Sequence, residues 1–181
     1  STDASMNILE VIAQQNKNVR VISFSRNFGH EAAMIAGIDH AAGDVIICMD
    51  ADLQHPLECI APIMAKFEEG YEVISMVRTS NKSAGAIKNF TSRAFYRVIN
   101  ALSDQVKLEE NASDFFAISS RVADVLRTNY REKTRFLRGY VQSVGFRKTT
   151  LEYTAAERAG GASHYTLKKL VNFAISTIVG F

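Results

Sequence analysis

Apolar positions along this chain change period from segment to segment, and the changes mark out its elements. Residues 4–15 carry apolar side chains at helical spacing, with Ser1, Thr2 and Asp3 as capping candidates, and predict a helix. Val19–Phe24 alternates and is rich in β-branched residues, the pattern of a strand. Ser25-Arg26-Asn27-Phe28-Gly29 reads as a turn, and His30–Ala42 returns to helical spacing until Gly43-Asp44. Val45–Met49 is a short unbroken apolar run, as expected of a strand buried on both faces. A helix follows from about Leu57 to Glu69, its regular part starting near Pro62, and Gly70 ends it. Tyr71–Val77 predicts another strand.

Beyond this the pattern loosens. Ser83–Leu102 predicts a long amphipathic helix and residues 103–113 a polar loop. Phe115–Ile118 predicts a short strand, and residues 121–128 and 134–144 predict helices. Phe146–Thr154 is an extended segment, and Ala155–His164 is a loop with Gly160 and Gly161. A last helix begins near Tyr165. Alternating helices and strands predict an α/β fold with a mostly parallel sheet. Such a sheet normally opens with a strand, but here the first element is a helix; the reading is that a first strand precedes Ser1.

Composition adds limits. The 181 residues suffice for one domain with a sizeable core. Cys48 and Cys59 sit within apolar patterns and read as small core residues of a reducing compartment. Two cysteines and four scattered histidines argue against a structural zinc site. Residues 1–80 hold 5 Lys/Arg against 11 Asp/Glu, whereas residues 81–181 hold 16 against 8. An acidic first part suits metal ligation, and a basic second part suits phosphate or an anionic lipid surface. The longest apolar stretch, Leu170–Phe181, has 12 residues, too few for a crossing of roughly 20. It reads as a core or interfacial helix, or as the approach to a membrane anchor further on.

The chemistry concentrates in Asp50-Ala51-Asp52-Leu53-Gln54-His55-Pro56, directly after the buried strand. Ligands of open α/β sheets bind beyond the carboxyl ends of strands. Two carboxylates one residue apart on a bent loop there suit Mg²⁺ or Mn²⁺ bridging to a diphosphate. A capping aspartate beside a solvated one is the plainer alternative. No G-x-G-x-x-G follows a strand, which disfavours a dinucleotide-binding dehydrogenase.

Asp50–Pro56 resembles the metal-binding segment of the polyprenyl-phosphate glycosyltransferases of glycosyltransferase family 2, a group that includes the dolichyl-phosphate mannose synthases and bactoprenol glucosyltransferases. Arg26–Ala33 resembles that group's R-N-F-G-x-x-A-A segment, and Ser1-Thr2-Asp3 the end of its D-D-G-S-x-D segment. The resemblance implies a GT-A-type nucleotide-diphospho-sugar transferase fold. The GT-A-type domain would span residues 1–165, and residues 166–181 would form an interfacial helix leading to a membrane anchor. It implies metal-dependent transfer of a sugar, from a UDP-sugar, to a polyprenyl phosphate at the cytoplasmic face of a membrane, by direct displacement with inversion.

Carried over by position, the resemblance puts Asp50, Asp52 and Gln54 on the metal and donor diphosphate, with Asp52 foremost. Arg26 and Asn27 fall on donor-binding positions. Ser113-Asp114-Phe115-Phe116 resembles the G-D-F segment and makes Asp114 a candidate base or acceptor-orienting group. Here the family commonly has glycine in place of Ser113, and often a basic residue in place of Phe116. Arg78, Lys88, Ser92 and Arg93 fall on acceptor-phosphate positions. Arg158–Tyr165 resembles a mobile R-x-x-G-x-S-K-Y loop, in which Arg158 and Ser163 would hold the donor diphosphate and His164 replaces the common lysine. Phe136–Tyr140 resembles the F-L-R-G segment; its apolar residues suit either a membrane-facing surface or core packing.

Two other functions fit the same residues: transfer to a soluble sugar or polysaccharide, and a non-catalytic nucleotide-sugar binding or membrane-scaffold module. The sequence is compatible with a homo-oligomer and gives no sign of nucleic-acid binding.

Overall fold

The structure, a computed structural model, describes residues 4–79, 112–131 and 137–156. The chain divides into two compact units, Ser1–His40 and Ala41–Phe181.

The first unit holds α1 (Ser5–Gln15) and α2 (His30–His40). Ala4 stands at the N-cap of α1 without a side-chain cap bond. The predicted capping residues Ser1–Asp3 lie outside the described residues. The strand expected at Val19–Phe24 is absent: the segment pairs with no strand among the described residues, and Ile22 and Phe24 are exposed. Alternation shows which side chains share a face, but a strand also needs a partner for its N–H and C=O groups.

The second unit is built on β1 (Val45–Cys48), β2 (Val73–Arg78), β3 (Ala112–Ser119) and β4 (Lys148–Tyr153). A short 3₁₀ turn, Leu57–Cys59, leads into α3 (Ile60–Glu68). Pro62 is the third residue of α3, where its missing N–H breaks no intrahelical bond. Helices α4 (Ser120–Asn129) and α5 (Leu137–Ser143) follow β3. Ser119 caps α4 by accepting a hydrogen bond from the Val122 N–H at 3.2 Å.

The strand order is β1-β3-β2-β4. β3 is antiparallel to both β1 and β2, while β4 is parallel to β2. The sheet is therefore mixed, and two of its three pairings are antiparallel, where the sequence predicts a mostly parallel sheet. Three strands still point the same way. β1, α3 and β2 form a crossover that leaves one strand-width open, and β3 enters that gap in reverse.

Two layers cover the sheet. Ile74, Met76, Phe115 and Ala117 are buried in one cluster with Ile63 of α3, Tyr153 and Ala155. By strand alternation Val73, Phe116 and Ile118 face the other side, and they too are buried. Helices α4 and α5 pack against β3 and bury Val122, Leu126, Leu137, Tyr140 and Val141. Of the two readings open for the 136–140 segment, core packing is the one its described apolar residues follow.

Candidate functional site

This topology collects chemistry at one edge. The carboxyl ends of β1, β2 and β4 meet the start of β3 there. The residues delivered are Asp50 and Asp52 just past β1, Arg78 at the end of β2, Ser113 and Asp114 at the start of β3, and Tyr153 at the end of β4. The register pairing Cys48 with Phe116 runs on toward Asp50 and Asp114.

The loop after β1 is folded on itself. The Gln54 N–H donates to Asp52 Oδ1 at 3.1 Å, an Asx turn that fixes the Asp52 carboxylate. Leu53 between them sits at φ 63°, a conformation that costs a non-glycine residue of the order of 1 kcal/mol. The Gln54 carbonyl accepts from the Ala156 N–H, which ties the loop to the chain leaving β4. The Asp50 N–H donates to His55 Nδ1 at 2.9 Å.

His55 is the residue that the motif reading passed over. It is buried, stacked on Phe115 with ring centroids 4.7 Å apart, and edge-on to Tyr153 at 5.7 Å. Burial pushes its pKa below the ordinary value; Asp50, Asp52 and Asp114 pull upward by less, and Arg78 adds to the lowering. Asp50, Asp52, Asp114 and Arg78 thus all act on one imidazole. A histidine between a D-x-D and a proline gives no periodic signal, so the sequence marks it only as part of the string.

Asp114 is held by α5. Nε and Nη2 of Arg138 both donate to Asp114 Oδ1, at 3.1 and 2.6 Å. Ser113 serves the neighbouring irregularity, where the β2–β3 register shifts between Ser75 and Val77. Its hydroxyl donates to the Met76 carbonyl at 2.9 Å and accepts from the Phe115 N–H at 3.2 Å. The hydroxyl that replaces the family's common glycine is therefore bonded into the strand. Burial raises the Tyr153 pKa; its hydrogen bond with Ser113 and the Arg78 charge offset part of that. The Cys48 thiol is pushed up to about 12, first by burial and then by the Asp114 charge. Cys48 itself is only partly buried, short of the full core position that the sequence predicts.

In the first unit, Asn27 Oδ1 accepts from the Gly29 N–H at 2.8 Å and shapes the turn into α2. The Arg26 guanidinium lies 4.7 Å from the Phe28 ring centroid. Lys88, Ser92, Arg93, Arg158, Ser163 and residues 166–181 lie outside the described residues.

Among the described residues no group of three or more His, Cys, Asp or Glu side chains gathers into a metal cage. The hard oxygen donors Asp50 and Asp52 nevertheless fit Mg²⁺ or Mn²⁺, which take one or two carboxylates and complete their shell with water and substrate phosphates. Among the same residues no helix is long and apolar enough to cross a membrane.

Comparison with solved structures identifies the fold. Glucosyl-3-phosphoglycerate synthase from Mycobacterium tuberculosis, solved with phosphoglyceric acid, aligns with a TM-score of 0.57 at 16% identity, over 99% of this chain and 65% of that one. Mannosyl-3-phosphoglycerate synthase from Rubrobacter xylanophilus aligns with a TM-score of 0.56 at 13% identity, over 98% of this chain and 59% of that one. The fold is that of the GT-A glycosyltransferases. The chain belongs to glycosyl transferase family 2, whose family model matches residues 1–127. Among its relatives is YkcC of Bacillus subtilis (strain 168), described as an uncharacterized glycosyltransferase, 39% identical over all of this chain and 55% of the relative. Another is the bactoprenol glucosyl transferase of Shigella phage SfV, 36% identical over all of this chain and 58% of the relative. The chain thus spans little more than half the length of these two relatives.

Proposed function

We propose that this chain is the donor-binding domain of an enzyme that transfers a sugar from a UDP-sugar to a polyprenyl phosphate at a membrane surface. The observation that carries the reading is the sheet edge where Asp50, Asp52, Arg78 and Asp114 come together beside His55. Two acidic groups beside one basic group and a further carboxylate suit a cation-bridged diphosphate next to an anionic acceptor. The relative named bactoprenol glucosyl transferase supports the lipid acceptor. The M. tuberculosis synthase was also solved with Mn²⁺ and UDP-glucose, with a TM-score of 0.57, which supports the donor and the metal class.

In this reading Asp50 and Asp52 hold Mg²⁺ or Mn²⁺, with Gln54 beside them. The ion would supply Lewis-acid stabilisation of charge on the departing nucleoside diphosphate. Arg78 binds the acceptor phosphate, joined by Lys88, Ser92 and Arg93, while Arg26, Asn27, Arg158 and Ser163 complete the donor site. An acceptor oxygen bonds to the anomeric carbon as the bond to the diphosphate breaks, with inversion. A phosphate monoester is largely ionised near pH 7, its second pKa being about 6, so little proton abstraction is needed. Asp114, fixed by Arg138, then serves mainly to orient the acceptor and its surroundings.

The test uses the intact protein with a panel of nucleotide sugars, Mn²⁺ or Mg²⁺, and either a polyprenyl phosphate or a soluble sugar. Asp52→Asn is expected to lower kcat/KM by roughly 100-fold or more, the scale of losing one contact to developing charge. Its melting temperature should stay near wild type. Full activity in Asp52→Asn overturns the donor-site assignment, and transfer only to the soluble sugar overturns the lipid acceptor.

A further inference from the structure

The Asp50 N–H reaches an imidazole lone pair, not a carbonyl, and that difference carries information. Because the N–H donates to Nδ1 at 2.9 Å, Nδ1 carries no proton and the ring proton sits on Nε2. Nε2 lies 4.0 Å from Asp50 Oδ2, so the ring faces both the backbone and the carboxylate of one residue. The ring itself is fixed by the core: Phe115 behind it is fully buried, Tyr153 at its edge is 5% exposed, and they come from β3 and β4. The loop after β1 is therefore anchored to two other strands through one side chain. A second internal bond, Gln54 N–H to Asp52 Oδ1, fixes the other carboxylate. The strained φ of 63° at Leu53 needs such outside restraint to persist.

We propose that His55 is a positioning residue, whose Nδ1 clamps the Asp50 backbone so that the Asp50 and Asp52 carboxylates are aimed together at a divalent cation and the donor diphosphate. The inference rests on the donor-site reading above and adds a residue that acts through Asp50, without contact to substrate. It distinguishes the two jobs of the ring. Stacking on Phe115 serves stability, whereas acceptance at Nδ1 serves ligand geometry. Outer-layer partners of metal ligands typically change affinity by about 10- to 100-fold when removed.

Three variants of the intact protein separate these jobs. His55→Phe keeps a ring against Phe115 and loses the acceptor. His55→Asn loses the ring and keeps an acceptor, because its amide oxygen occupies the place of Nδ1 along the side chain. Asp52→Asn controls for the donor site itself. Mn²⁺ binding in the presence of UDP is read from the loss of the free-ion paramagnetic resonance signal, alongside kinetics and thermal melting. His55→Phe is expected to weaken Mn²⁺ binding and raise the donor KM by about tenfold or more while melting near wild type. His55→Asn is expected to melt lower yet recover most of the affinity. Nitrogen NMR of the metal-free wild type, independent of how any variant folds, should find Nδ1 unprotonated and Nε2 protonated. Wild-type Mn²⁺ affinity in His55→Phe, no recovery in His55→Asn, or a proton on Nδ1 overturns the positioning role and leaves the donor site standing. Wild-type protein that binds no Mn²⁺ with UDP overturns both.

Discussion

At the residue scale, Asp114 and Arg138 are the pair most sharply defined at this edge. Their side chains are 20% and 25% exposed, so the contact is only partly screened by water. Arg138→Ala removes both donors from Asp114 Oδ1. We expect it to cost about 2 kcal/mol in urea denaturation, within the range for hydrogen bonds to a charged group. Turnover should fall with it. Arg138→Lys should recover only part of that, because an ammonium cannot present the two aligned donors of a guanidinium. Cys48 gives the opposite kind of prediction. A thiol pKa raised to about 12 leaves almost no thiolate at pH 8. Pulse alkylation with mass spectrometry should therefore label Cys48 only in unfolded protein. The sign follows: burial of the neutral thiol favours the fold at all pH values below the unfolded thiol pKa near 9, and that contribution is lost as pH rises toward 12.

At the element scale, the end of α3 was readable in detail. Gly70 predicts a helix stop, and it has φ 85° just past the Glu69 C-cap. The Gly70 N–H bonds to Phe67 O and the Tyr71 N–H to Lys66 O, the paired bonds of a Schellman motif. An added Cβ would also meet Arg147 Nη1 at 3.2 Å, and Nη1 itself donates to the Glu69 carbonyl. Gly70→Ala should lower stability by about 1–2 kcal/mol in chemical denaturation, with little effect on donor KM. The segment at Val19–Phe24 behaves differently. It is rich in β-branched residues and alternates over most of its length, yet it has no ladder among the described residues. A helix satisfies its own backbone and can be read from one segment, whereas a strand is a property of two.

At the scale of the whole molecule, the sheet edge decides how metal and fold are related. Asp50 and Asp52 are only two carboxylates, and no larger cluster of ligands forms among the described residues. A cation held this lightly contributes little to folding, unlike a structural zinc. Treatment of the intact protein with EDTA should abolish transfer while far-ultraviolet circular dichroism and the melting temperature stay nearly unchanged. Adding back Mn²⁺ should restore the rate. Unfolding on chelation would mean that the ion is structural.

The sequence by itself determined much of the local order: most of the helices and strands, an apolar run at Val45–Met49 that becomes β1 although only its Ile46 is buried, a proline in the first turn of α3, a glycine at its end, and a D-x-D string just past β1. These follow from periodicity and backbone preference, which act within one segment. Only the tertiary structure decided that β3 runs backwards between β1 and β2, so that Asp114 starts where Asp50 and Asp52 end. It also decided that Arg138, distant in sequence, grips Asp114, and that His55 turns inward to hold the Asp50 backbone. Each of these depends on which strand pairs with which and on what fills the space beneath a loop. Such partners are set by three-dimensional packing, and spacing along the chain leaves no trace of them.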